Sequence, residues 1–174
     1  RSAPLSIPGI RMADLPDTEP PTAAEPTPAP ARKRPKPGER RVQILQALAS
    51  MLEQPGAERI TTAALAARLE VSEAALYRHF ASKAQMFEGL IEFIEGSVFT
   101  LVNQVAERDA DPRGQVGGML GVLLQFGEKN PGMTRVMAGD ALVFENERLT
   151  ARMNQFFDRF ESALRQSLRT RADA

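Results

Sequence analysis

From residue 39 onward, the apolar residues of this chain recur at spacings of three and four, which is the pattern of helices with one buried face. Capping and turn residues separate the segments that show this pattern. No segment alternates apolar and polar residues with a period of two, so the sequence predicts an all-α fold. The predicted helices cover about 39–52, 61–69, 72–80, 83–108, 113–129, 133–144 and 146–170.

Residues 60–86 contain two short helical patterns joined by almost no connecting residues. Thr61 or Thr62 can cap the first helix and Ser72 the second, because a hydroxyl can accept a hydrogen bond from a backbone N–H that the helix leaves unpaired. Two short crossed helices, the second carrying Tyr, Arg and His outward, are typical of a helix-turn-helix that enters the DNA major groove. With the helix at 39–52, this pair predicts a three-helix DNA-binding unit.

Ten of the thirteen prolines lie in the first 37 residues. Proline interrupts helices, and this segment offers little apolar surface to bury, so residues 1–37 are predicted to form a disordered tail. The chain is therefore predicted to consist of this tail, a helix-turn-helix DNA-binding domain at 38–84 and a helical C-terminal body at 85–174.

Positive charge is concentrated around the predicted helix-turn-helix, although the formal net charge of the chain is zero. Residues 32–83 hold ten basic and five acidic residues, whereas the segments before and after them are slightly acidic. The basic run at 32–41 could be a solvated surface only, but its position directly before the DNA-binding unit favours contact with phosphates. Arg40 and Arg41 are the candidates for this contact within the first helix.

The residues that the chain lacks disfavour other classes of function. It has no cysteine, which excludes disulfides and thiolate metal sites and fits a reducing cytosol. His79 is the single histidine, so no zinc site is predicted. Neither a catalytic acid–base or nucleophile set nor a glycine-rich phosphate loop is evident, and no enzymatic activity or cofactor is predicted. No apolar stretch approaches the roughly 20 residues that span a bilayer, so a membrane partner is not expected either.

The second helix of the pair and its flanks have the pattern Val71-Ser72-x-x-x-Leu76-Tyr77-x-His79-Phe80-x-Ser82-Lys83. This pattern closely resembles the DNA-binding head of the tetracycline-repressor (TetR) family of bacterial regulators. Further segments resemble, within that family, the members that act in nucleoid occlusion, and the similarity covers about 39–170. These segments are EAALYRHF (73–80), LIEFIE (90–95), FGEKNPGMTR (126–135) and ALVFENERLTARMNQFF (141–157).

The resemblance implies a fold, a mechanism and a location. The fold would be a three-helix head followed by a helical regulatory body. Such proteins bind specific palindromic sites in double-stranded chromosomal DNA and, while bound, antagonise polymerisation of the division protein FtsZ, so that division rings do not form over the nucleoid. A cytoplasmic, nucleoid-associated protein is therefore expected.

The resemblance also implies two sets of functional residues. The first set would face DNA, beside Arg40 and Arg41, which the charge pattern alone suggests: Thr61, Thr62, Ser72, Glu73, Ala74, Tyr77, His79 and Lys83. The second set would bind FtsZ in a groove between the fourth and fifth helices: Phe93, Leu101, Val122, Gln125, Lys129 and Asn130.

The chain departs from the family pattern in three places. Glu70 occupies the turn position where the family usually has glycine, so it is expected to adopt a left-handed or similarly strained conformation at a cost of about 1 kcal/mol. Leu101 stands where the family favours a basic residue. The family normally has two more helices after the seventh, which build a homodimer interface, so a homodimer is expected if those helices are present.

Several residues allow two interpretations from the sequence alone. Tyr77 and His79 could be half-buried helix residues or face DNA, and Phe93 could belong to the core or to a partner surface. The glycines of the fifth helix, at 114–127, could mark a close helix crossing or an open groove. At the level of function, the alternative is a ligand-responsive repressor, which would need convergent polar groups inside the body.

Overall fold

The computed structural model describes residues 38–54 and 59–169, and within them the chain is helical with no strand. The all-α prediction is confirmed over these residues, whereas the predicted disordered tail lies outside them. The helices are α1 (Glu39–Leu52), α2 (Thr62–Arg68), α3 (Glu73–Tyr77), α4 (Lys83–Arg108), α5 (Pro112–Lys129), α6 (Pro131–Ala138) and α7 (Glu147–Arg169), with a short 3-10 helix at Asp140–Leu142.

Side-chain caps fix where several helices begin. Ser72 and Ser82 each accept a hydrogen bond at 3.2 Å from the backbone N–H three residues on, as the sequence predicts. Thr61, and not Thr62, caps α2 in the same way at 3.1 Å. At the start of α5 the carboxylate of Asp111 accepts from Gly114 N–H at 3.1 Å. These local contacts explain why the predicted starts agree with the structure to within about two residues.

Two of the predicted helices are shorter in the structure. α3 ends at Tyr77 instead of residue 80, because the N–H groups of His79 and Phe80 both donate to the Leu76 carbonyl and tighten the chain into a turn. His79 therefore lies in the turn after α3 and not on α3 itself. α6 ends before Gly139, whose φ of 88° is left-handed, and a 3-10 helix and a loop replace the rest of the predicted sixth helix.

One continuous set of buried apolar side chains joins the first three helices to the rest of the fold. α4 is its centre: Leu90, Ile94 and Val98 are fully buried along one face of this helix. Leu76 of α3 reaches this core from one end and Phe156 of α7 from the other. The head and the body thus share α4 and are not packed as independent cores.

Charged pairs line the seam between α4 and α7. Arg152 donates two hydrogen bonds to the carboxylate of Glu95, one of them at 2.6 Å, and these raise the pKa of Arg152 above its usual value. Arg148 pairs with Glu88 at 2.9 Å one turn away. Because these pairs are partly exposed, each contributes little to stability, but together they fix the register of α7 along α4.

Glycines allow two close helix crossings. A Cβ at Gly118 of α5 would lie 2.6 Å from Val105 Cγ1 of α4, and a Cβ at Gly132 of α6 would lie 2.3 Å from the carbonyl oxygen of Ala49 in α1. Gly117 and Gly121 differ, since a Cβ there would meet nothing within 4 Å. The close-crossing interpretation is therefore confirmed at Gly118, while Gly117 and Gly121 face open space.

In the segments that the structure describes, no helix combines the length and the apolar character needed to cross a bilayer.

Candidate nucleic-acid interface

α2 and α3 are connected by a tight turn in which Glu70 closes the C-terminus of α2. Its φ is 53°, so the left-handed conformation expected from the sequence is confirmed. The N–H of Val71 donates to the Ala66 carbonyl at 3.0 Å, and the N–H of Glu70 to the Ala67 carbonyl at 3.1 Å. This pair of bonds is a Schellman motif, which usually has glycine at the left-handed position. The motif pairs the last carbonyls of α2, and α3 then begins two residues after Val71.

Replacing Glu70 by glycine is expected to stabilise the fold by up to about 1 kcal/mol, because glycine adopts a positive φ without steric cost. Thermal unfolding measures this change. Glu70→Gln is the matched control, since it removes the charge but keeps the Cβ and therefore the strain. A melting temperature of the glycine variant no higher than that of the glutamine variant would contradict the assignment of strain to this position.

A polar network lies on the face shared by α2 and α3. The hydroxyl of Thr62 donates to Glu73 Oε2 at 2.7 Å, and the hydroxyl of Tyr77 lies 3.5 Å from Thr62 Oγ1. Tyr77 is 44 % exposed, so its ring is accessible at the surface although part of it is covered. Ser72 and Ala74 are exposed beside it at the start of α3. Ser72 and Ala74 thus lie at the N-terminal part of α3, the part that reaches base edges in helix-turn-helix proteins, whereas Tyr77 is the last residue of α3 and lies beside Thr62 of α2.

Arg41 is engaged within the chain. Its guanidinium donates to the backbone carbonyl of His79 and lies 4.1 Å from the centre of the Phe80 ring. These contacts brace the turn after α3 against α1, with His79 itself half-buried. Arg41, which the charge pattern predicts to contact phosphates, therefore also has a structural role that the sequence did not indicate. Arg40 is half-buried, and residues 32–37 of the basic run lie outside the described residues.

Lys83, the first residue of α4, is also paired within the chain. Its ammonium lies 2.5 Å from Glu145 Oε1, in the segment between α6 and α7. Sequence reasoning assigned no role to Glu145, because the two residues are 62 positions apart and only the tertiary fold brings them together.

Only some of the residues predicted to line the partner groove between α4 and α5 are accessible at the surface. Phe93, Leu101, Gln125 and Lys129 are half-buried, so each keeps some exposed area. The ring of Phe93 lies 6.3 Å from the ring of Phe126, in a tilted arrangement. Phe93 therefore packs against the core and keeps part of its surface exposed.

Two of the predicted groove residues are buried, and this part of the prediction is wrong. Val122 is 1 % exposed and Asn130 is 4 % exposed, so neither side chain can contact a partner at this surface. Val122 belongs to the hydrophobic core. Asn130 donates from its side-chain amide to the Phe126 carbonyl at 2.9 Å and so closes the end of α5. The groove is reduced to the four half-buried residues.

Comparison with known proteins agrees with this geometry. A profile described as bacterial regulatory proteins of the tetR family matches residues 44–90, which include α2 and α3. A second profile, the SlmA-like C-terminal domain of tetracyclin repressor-like proteins, matches residues 114–173.

Several curated proteins named nucleoid occlusion factor SlmA are similar to this chain in sequence. The nucleoid occlusion factor SlmA of Aliivibrio fischeri strain MJ11 is 58 % identical over 138 residues, which are 79 % of this chain and 70 % of the relative. The SlmA proteins of Vibrio cholerae and Idiomarina loihiensis are 57 % and 55 % identical over 133 residues, 76 % of this chain and 68 % of each relative. The chain therefore belongs to the SlmA nucleoid occlusion factors, within the TetR family of bacterial regulators.

Proposed function

We propose that this chain binds specific double-stranded DNA sites on the chromosome through α2 and α3 and, while bound, antagonises polymerisation of FtsZ. It would act as a nucleoid occlusion factor, a DNA-dependent antagonist of another protein and not an enzyme. Its location would be the cytoplasm, on the nucleoid, and a homodimer would occupy the two halves of a palindromic site.

The capped α2–α3 pair carries the DNA-binding part of this proposal. Ser72 and Thr61 hold the starts of the two helices on one face, and Thr62 and Tyr77 lie beside them. Hydroxyl groups of this kind, and backbone N–H groups at helix starts, are common donors to phosphate oxygens. The exposed Tyr77 ring is the largest side chain on this face and the best candidate for a contact with the DNA backbone.

The buried polar groups of the body support a protein antagonist over a ligand-responsive repressor. A ligand pocket needs a few convergent polar groups that are free to bind the ligand. In the described residues the buried polar side chains are Ser97, Asn130 and Ser167, and every buried side-chain nitrogen and oxygen has a hydrogen-bond partner within the chain. No specific observation favours the repressor function.

The half-buried residues between α4 and α5 support the second part of the proposal. Phe93 offers an accessible aromatic face and Lys129 a positive charge at the end of α5, and both could contact a short acidic and apolar segment of FtsZ. Leu101 and Gln125 would complete that groove.

Tyr77→Ala is expected to weaken DNA binding about 5- to 150-fold, the range that corresponds to the loss of one positioning contact of about 1–3 kcal/mol. The melting temperature should change little, because the ring is 44 % exposed. Affinity is measured on a duplex that the unmodified chain selects from a random library.

Tyr77→Phe is the matched control, since it removes only the hydroxyl near Thr62 and keeps the ring. Unchanged affinity of the alanine variant, together with a large fall in its melting temperature, would place Tyr77 in the core and contradict the assignment.

A further inference from the structure

The ion pair between Lys83 and Glu145 joins the DNA-binding head to the body. Lys83 immediately follows the Ser82 cap of α4 and is close in sequence to the end of α3. Its side chain is 22 % exposed. Glu145 is 10 % exposed and lies just before α7. The lysine is thus located where a phosphate could reach it, while its charge is already neutralised by a largely buried carboxylate.

The segment 139–146, between α6 and α7, is held against the rest of the fold near both of its ends, and Ala141 and Leu142 within it are buried in the core. At its start, Asp140 pairs at 2.8 Å with Arg135, which also donates to the Leu52 carbonyl at the end of α1 at 2.9 Å. At its end, Glu145 pairs with Lys83. Between these two anchors the segment exposes Phe144, whose side chain is 61 % accessible.

A DNA phosphate and Glu145 would compete for the same ammonium group. Neutralisation of a phosphate by lysine releases counterions and favours binding. While Lys83 is paired with Glu145, its contribution to DNA affinity is lost. The carboxylate of Glu145 also places a negative charge close to the DNA backbone. If a phosphate takes the lysine, Glu145 loses its partner in a largely buried position, and a charge left there without a partner is unfavourable.

We propose that Glu145 is an autoinhibitory residue: it pairs with Lys83 in the free protein, and DNA releases residues 143–146 by taking Lys83 over, while Ala141 and Leu142 stay buried in the core. The inference rests on the proposed function in one respect, namely that Lys83 faces DNA. Coupling of this kind is reciprocal, so a ligand or variant that stabilises the closed segment weakens DNA binding by the same factor.

The first test is the affinity of Glu145→Gln for a duplex of random sequence, because phosphate contacts do not depend on sequence. The variant is expected to bind about fivefold more tightly than the unmodified chain, the order of one partly exposed ion pair. Glu147→Gln is the matched control, since it removes the same charge two residues on and should have a much smaller effect. In a Lys83→Ala background, Glu145→Gln should no longer increase the affinity.

The outcomes separate this inference from the proposed function. If the unmodified chain binds no duplex, the proposed function fails and the inference with it. If it binds DNA, but Glu145→Gln has no larger effect than Glu147→Gln or keeps its full effect without Lys83, the inference alone fails.

The second test follows the segment directly. The chain contains no tryptophan, so Phe144→Trp introduces a single indole whose emission reports on this segment. Addition of the duplex is expected to change that emission, and Glu145→Gln should produce the same change without DNA. Emission that is unaffected by saturating duplex would overturn the release of the segment.

Discussion

Gly132→Ala is expected to lower the free energy of unfolding by about 2–3 kcal/mol, one of the larger effects of adding a single methyl group. A Cβ at this position would lie 2.3 Å from the carbonyl oxygen of Ala49, and this atom belongs to the backbone of α1 and cannot rotate away. α1 and α6 would have to separate. Since α1 also supports the helix-turn-helix, DNA affinity should fall together with stability. Urea denaturation measures the change.

Gly121→Ala is the matched control for this prediction. A Cβ there meets nothing within 4 Å, and the residue lies inside α5, so alanine should stabilise the helix by up to about 1 kcal/mol. If the two variants shifted stability in the same direction, the close packing of α1 on α6 would not be the reason for glycine at position 132.

The double variant Phe93→Ala, Lys129→Glu is expected to abolish antagonism of FtsZ and to leave DNA affinity nearly unchanged. Loss of the aromatic face removes apolar contact area, and reversal of the charge places like charges together if the partner segment is acidic. Neither residue belongs to α2 or α3. FtsZ polymers are pelleted in the presence of the variant and a selected duplex, and DNA affinity is measured in parallel.

Phe93 is half-buried against Phe126, so its truncation could also loosen the core. Lys129→Glu alone serves as the control for this, because it leaves the ring contact in place, and it should still weaken antagonism strongly. Lys129→Gln separates the loss of the positive charge from the reversal. If the double variant keeps its melting temperature and still disrupts FtsZ polymers, the groove between α4 and α5 is not the FtsZ site.

The features that could be predicted from the sequence are local ones. The starts of α3 and α4 follow from Ser72 and Ser82, since a cap bonds to the N–H group three residues on. The strained turn at Glu70 could be predicted from the family resemblance, because the family usually has glycine at this turn position. The end of α3 could not, because its tightening after Tyr77 coincides with contacts from Arg41 on another helix.

The residues of the candidate sites could likewise be predicted only where their placement depends on local structure. The exposed face of α2 and α3 follows from helical spacing, and Tyr77 lies on it. The groove between α4 and α5 depends on how deeply two helices pack, so Val122 and Asn130 were wrongly assigned to its surface. The pair of Lys83 with Glu145 could not be inferred from spacing at all, since only the tertiary fold brings the two residues together.

The most direct test of the account is the sedimentation of FtsZ polymers with the chain alone, with a selected duplex alone, and with both. The amount of pelleted FtsZ is expected to fall only when the chain and the duplex are both present. A duplex of scrambled sequence, which the chain binds weakly, should have a much smaller effect at the same concentration. If the chain binds its selected duplex and the pelleted FtsZ is the same in all mixtures, the proposed DNA-dependent antagonism is contradicted.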